Sequence, residues 1–218
     1  MLTAIAKPSG AIVRSDDRWM PQGFDSVDEA KLGENSALLE PDHRRELTSW
    51  WSKISARANT PNWDIASTCS IEDKPGLLLV EAKAHVEELS LASKTEPKTK
   101  NGWINHEQIK KAIAAANSGL NDFCPGWSLS VNSHYQLCNR FAWNWKLATM
   151  QIPVVLVYLG FLNCQEMSDE GELFATPNAW ERSLHAHADS IVPGQVWGSR
   201  IDVQGTALWA IISSLPAP

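Results

Sequence analysis

An α/β protein, with a small mixed β-sheet flanked by α-helices, is what this chain of 218 residues predicts, and three observations predict it. Two continuous apolar runs, Leu77-Leu78-Leu79-Val80 and Pro153-Val154-Val155-Leu156-Val157-Tyr158-Leu159, read as strands buried on both faces. Between and around them lie stretches with apolar residues at helical spacing. A run of turn formers, Glu72-Asp73-Lys74-Pro75-Gly76, would fold residues 63–70 back onto 77–83 as a hairpin.

Residues 1–40 have weak periodicity and read as an irregular arm that covers the sheet or an oligomer interface, which makes a second copy of the chain a candidate partner. Residues 41–218 read as one domain, with 163–218 as a C-terminal α+β extension. The first core helix is expected over 42–58, burying Leu47, Trp50, Trp51, Ile54 and Ala58 and leaving Arg44, Arg45, Lys53 and Arg57 outside. Asn105-His106-Glu107-Gln108 predicts a capped helix start, with Ile109, Ala112, Ile113 and Ala116 buried and an end near Asn117-Ser118-Gly119. A third helix is expected over 134–150 with Leu137, Phe141, Trp145 and Ala148 inward, stopped by Pro153. Thr176-Pro177 predicts another, burying Trp180, Leu184 and Ala188. On it Glu181, His185, His187 and Asp189 carry metal-ligand chemistry, but two-residue spacing turns His187 away from His185, so they read as surface residues. The tail predicts an edge strand over 200–203 and an apolar closing element over 208–212.

With 44% hydrophobic side chains the chain can bury one substantial core. It shows neither a secretory signal nor an apolar run long enough to span a membrane, so a cytoplasmic protein is expected. Cys69, Cys124, Cys138 and Cys164 form no C-x-x-C pair and read as reduced thiols. No G-x-S-x-G elbow, phosphate-cradling G-x-x-x-x-G-K or dinucleotide G-x-G-x-x-G is present, which argues against those enzyme classes. A net charge of −6 is unfavourable for gripping phosphates, yet Lys94, Lys98 and Lys100 mark a basic loop that either contacts phosphates or is simply solvated. Of eleven tryptophans, Trp63, Trp103 and Trp127 lie near turns and are the candidates for stacking on bases.

Glu81 and Lys83, two apart on the first apolar strand, share one sheet face. Charges at the end of a buried strand need a partner or a metal; otherwise they mark where the strand reaches solvent. A turn centred between Asp73 and Lys74 would set Asp64 opposite Lys83 and Ala66 opposite Glu81, bringing all three charged groups onto one face. One extra turn residue would reverse that parity.

Pro61-Asn62-Trp63-Asp64, the spacing to Glu81 and the tripeptide Glu81-Ala82-Lys83 resemble the active-site hairpin of the PD-(D/E)xK nuclease superfamily, the restriction-endonuclease-like fold, over about residues 42–162. Two departures stand out: Pro61 does not adjoin Asp64, and no clear strand precedes Asp64. The resemblance implies a restriction-endonuclease-like core and metal-dependent hydrolysis of phosphodiester bonds in nucleic acid, with DNA the expected substrate. Asp64, Glu81 and the Ala82 carbonyl would hold Mg²⁺ or Mn²⁺, and Lys83 would orient or deprotonate the water. Glu46, Gln108 and Gln136 are accessory candidates, each with a plain reading as a surface ion-pair partner or helix cap. Arg140 joins Lys94, Lys98 and Lys100 as a candidate nucleic-acid contact. The alternative is a non-catalytic protein of the same fold that binds or assembles a partner.

Overall fold

A computed structural model describes residues 1–21, 29–33, 38–54 and 60–217. Its strands are β1 (Trp19–Met20), β2 (Ile65–Ile71), β3 (Lys74–Lys83), β4 (Val154–Leu162), β5 (Arg200–Val203) and β6 (Thr206–Pro216), and its α-helices are α1 (Leu2–Ile5), α2 (Pro41–Trp51), α3 (Lys100–Phe123), α4 (Tyr135–Thr149) and α5 (Pro177–Ala188). The strands form one sheet in the order β1-β2-β3-β4-β6-β5. β3, β4 and β6 run parallel, while β1, β2 and β5 pair antiparallel at the edges. The chain is thus mixed α/β, with its parallel strands in the middle, where the continuous apolar runs require cover on both faces.

The β2–β3 hairpin turns at Glu72 and Asp73, both in the left-handed region (φ 50° and 60°), as a two-residue loop whose twist matches the strands. The expected centre one residue later is corrected, because Lys74 already pairs with Ile71. Pro75 and Gly76 sit in β3 instead of the turn. Pro75 tolerates this because β4 begins only at Val154, opposite Leu77. Ile65 faces Val80, and one step further along the same register Asp64 stands opposite Glu81 rather than Lys83. A two-residue displacement preserves parity, so Asp64 keeps the face of Glu81 and Lys83.

Helix boundaries differ from the periodicity in two places. α2 stops at Trp51, where Ser52 turns extended (φ −140°), so Ile54 lies beyond it; Arg57 and Ala58 fall outside the described residues. α3 begins at Lys100, not near Asn105, because the Thr99 hydroxyl accepts the Gly102 N–H, and it runs on to Phe123. Asn105, read as a cap, instead accepts the Ile54 N–H and donates to the Ile54 carbonyl, fastening the chain after α2 to α3. α5 starts as expected, with the Thr176 hydroxyl accepting the Ala179 N–H.

Two apolar layers sandwich the sheet. On one face Leu77, Leu79, Leu156 and Leu208 pack under α2, α3, α4 and α5, with Phe141, Trp143 and Trp180 filling the layer. On the other, Leu78, Val80, Val155, Val157 and Ile211 lie under Ile5, Ala6 and Ala11 of the N-terminal segment. That segment also supplies β1 and an Ile12–Ser70 bridge along β2. β6 lies inside the sheet between β4 and β5, so residues 206–216 belong to the central layer. Gly160 on β4 is required by close approach: a Cβ there would stand 2.5 Å from the Trp180 ring. All four cysteines are free. Among the described residues, no helix is long and apolar enough to cross a membrane.

Phe141 is fully buried between Trp127 and Tyr158. Phe141→Ala should lower the unfolding free energy in urea by about 3–5 kcal/mol. Gly160→Ala should cost about 1–3 kcal/mol through overpacking against Trp180. A loss below 1 kcal/mol for Phe141→Ala would contradict the packing described.

Candidate active site

At the C-terminal end of β3 the helix-facing residues change from Leu77 and Leu79 to Glu81 and Lys83, which stay buried at 2% and 8% exposure. A carboxylate so placed needs every available partner. Glu81 has three: Lys83 Nζ and Gln136 Nε2 donate to its Oε1, each at 2.6 Å, and Arg140 Nε donates to its Oε2 at 2.6 Å. Gln136 and Arg140 are four apart on α4 and therefore share the helix face that looks onto the strand end. The Arg140 guanidinium lies 4.7 Å above the Trp63 ring, and its Nη1 donates to Asn139 Oδ1 at 2.8 Å. Trp63, fully buried, exchanges two backbone hydrogen bonds with Ala30.

That pairing positions the neighbours on either side, Asp64 and Glu29. Asp64 Oδ2 accepts the Ala82 N–H at 2.6 Å. Burial first, and then the charge of Glu81, push its carboxyl up to about 6; the Ala82 N–H and Lys83 oppose the rise, and Glu29 adds to it. These groups meet in a cavity of about 610 Å³ walled by residues 60–64, the end of β3, residues 88–94 and the first turns of α4. Asp64, Glu81, Ala82, Lys83, Gln136, Arg140 and Lys94 all line it, and so does Glu29. Glu29 carries no sequence signal: it lies in a stretch of weak periodicity, and the Ala30–Trp63 bridge beside it brings it here.

Other candidates lie elsewhere. Glu46 is exposed on α2 and accepts from Lys146 of α4 at 2.6 Å, a surface ion pair away from the cavity. Gln108 donates to the Trp50 carbonyl at 2.7 Å and ties α3 to α2. Lys98 and Lys100 are exposed and do not line the cavity. Trp63 and Trp127 are buried, leaving Trp103, at 45% exposure and with its ring 5.4 Å from that of His106, as the exposed member of the three stacking candidates. Glu181 and His185 approach to 3.9 Å on the surface, whereas His187 turns away to pack its ring 4.8 Å from His134. Burial, His134 and Lys83 push His187 down to about 4, so it is neutral at physiological pH.

No group of three or more His, Cys, Asp and Glu that could hold a metal occurs among the described residues. The hairpin offers a metal the carboxylates of Asp64 and Glu81 and the Ala82 carbonyl, and Glu29 and Glu88 also line the cavity. Glu81 has about four acceptor directions and spends three. Among the described residues Asp64 Oδ1 takes no hydrogen bond, and the Ala82 carbonyl lies on the same strand edge as its N–H, toward Asp64. Hard oxygen donors of this kind fit Mg²⁺ or Mn²⁺, which complete their shells with water and substrate phosphate. Comparison with family models, with curated proteins and with solved structures finds no match to this chain.

The raised Asp64 carboxyl has a consequence for stability. The folded chain holds this proton up to about pH 6 while the unfolded chain releases it near 3.8, so stability falls as pH rises through that window. Asp64→Asn removes the buried charge and keeps an oxygen for the Ala82 N–H. Without divalent metal, the variant should therefore be more stable than wild type by about 1–3 kcal/mol at pH 8, several degrees in Tm, and equal to it at pH 3.5. Calorimetry at the two pH values checks this; a variant less stable at pH 8 would show that Asp64 is a structural anchor.

Proposed function

We propose that this protein is a Mg²⁺- or Mn²⁺-dependent nuclease that hydrolyses phosphodiester bonds, with DNA the expected substrate. The observation that carries the reading is the convergence of Asp64, Glu81 and Lys83 on one cavity at the end of a central parallel strand, with Gln136 and Arg140 closing over Glu81. The mixed sheet with helices supports a restriction-endonuclease-like core, to which the hairpin residues bear their resemblance.

Asp64, Glu81 and the Ala82 carbonyl would hold the metal, which when bound supplies Lewis acidity and a more acidic water. Lys83 is held by Glu81 beside the position a scissile phosphate would take, where its ammonium orients the water and offsets charge developing on the phosphate. Arg140 and Gln136 keep the Glu81 carboxylate fixed, so its geometry does not depend on substrate. Stacking on Trp63 prevents Arg140 from swinging away.

The test is cleavage of single- and double-stranded DNA and RNA with Mg²⁺, with Mn²⁺ and with a chelator. Asp64→Asn and Lys83→Ala should each lower the rate by about 10²-fold or more with the fold retained. Because Asp64 must be ionised to act as an oxygen donor, the wild-type rate at subsaturating metal should fall as pH drops through about 6, and raising the Mg²⁺ concentration should move that fall to lower pH. Lys83 and Arg140 both pair with Glu81, an observation that favours a second reading in which the cluster only ties β3 to α4. Absence of both cleavage and metal binding under every condition would decide for that non-catalytic reading.

A further inference from the structure

We infer that the cavity takes a single, unpaired strand of nucleic acid rather than a duplex, with one base seated against Tyr135 and its phosphate near Lys94. This deepens the nuclease reading and rests on it.

Volume is the first argument. A cavity of about 610 Å³ is in the middle of the range for small-ligand sites, room for one or two nucleotides and not for two paired backbones. Its lining comes from residues 60–64, residues 88–94 and the first turns of α4, and a nucleotide set among these segments brings its phosphate toward Lys83.

Charge is the second. The lining holds Glu29, Asp64, Glu81 and Glu88 against Lys83, Lys94 and Arg140. Lys83 and Arg140 are paired to Glu81, so among the described lining residues Lys94 is the cation without an ion pair. Duplex-binding surfaces neutralise many phosphates at once, and this one offers little for that purpose. The ground beyond Glu88 is worse for a second strand. Glu87 is exposed, its Oε2 accepts the Glu172 N–H at 2.9 Å, and it lies against the loop bearing exposed Glu166, Asp169, Glu170 and Glu172. A second backbone laid across that wall would meet carboxylates.

The third argument is the chemistry left for a base. Tyr135 is an aromatic side chain in the lining, and the Lys94 ammonium lies over its ring, 5.0 Å from the centroid, so a base that stacks there would displace Lys94 toward its own phosphate. Asn62, Ser90, Ser93 and Asn139 supply neutral donors and acceptors around it. Asn139 gives its oxygen to Arg140, so its amide N–H groups remain for a base edge. A paired base could use neither the ring nor these groups.

The experiment measures binding of fluorescein-labelled short oligonucleotides to the wild-type protein in EDTA, so that it returns a result whether or not the protein cleaves. Single-stranded DNA and RNA should each bind at least about tenfold more tightly than the blunt duplex of the same sequence, the ratio of the two arms showing which sugar is preferred. Tyr135→Ala should weaken single-strand binding about tenfold, while Tyr135→Phe, which keeps the ring, should restore it. Equal or tighter duplex binding overturns the inference, as does no binding of any strand, or a Tyr135→Ala variant that is folded by circular dichroism and binds as wild type does. Single-strand binding without Mg²⁺-dependent cleavage would fail the nuclease reading alone.

Discussion

Everything at the end of the sheet depends on burying the Glu81 carboxylate. An isolated ionised carboxylate inside a protein costs several kcal/mol, and the compensation must be local and complete. Here it comes from Lys83, two residues on, and from Gln136 and Arg140, over fifty residues away on α4. The three bonds are therefore also the polar seam between strand and helix. Arg140 extends that seam to the ring of Trp63, so the segment leading into β2 is positioned from above by a cation and from the side by the Ala30 backbone. The charges of Asp64 and Glu29 inherit their places from that arrangement.

The same cluster explains why Asp64 is strained electrostatically although its Oδ2 accepts the Ala82 N–H. Glu81 has claimed the nearby cations, and Asp64 has one backbone N–H and the residual field of Lys83. A structural role would favour a partnered or neutral side chain at this position. Under the proposed metal-binding role, a carboxylate whose ionisation is opposed by its surroundings is where a cation would be drawn in, and stability and reactivity would then be opposed at this one residue.

How much of this was legible in the sequence follows from which physical signal each feature leaves. The apolar runs of β3 and β4 announce buried strands because burial on both faces demands uninterrupted hydrophobicity. The shared face of Asp64, Glu81 and Lys83 was legible because side-chain direction depends on parity, and a one-residue shift of the turn centre moves the opposing partner by two and leaves parity intact. The opposing partner was not legible, since it depends on whether Glu72 and Asp73 or Asp73 and Lys74 adopt the left-handed conformation. Asn105 and Gln108 mimic a cap in sequence; Thr99 does the capping, and the two amides face α2 and the chain just beyond it. β1 is two residues long and leaves no periodicity to read. Glu29 is the extreme case, because a single backbone bridge determines its location.

α4 shows how a core helix can carry a polar function without losing its core. Leu137, Phe141 and Leu147 bury against the sheet face, while Gln136, Asn139 and Arg140 occupy the turns nearest the end of β3, where that face gives way to the cavity. Apolar periodicity identifies the helix but cannot distinguish its buried polar residues from surface ones. Arg140 and Lys146 look equivalent in sequence, yet one is 6% exposed on Glu81 and the other reaches Glu46 at the surface. What separates them is the strand end lying beneath the first turns of the helix, a relation set by the parallel register of β3 with β4, and it makes the polar cavity a product of topology as much as of any residue.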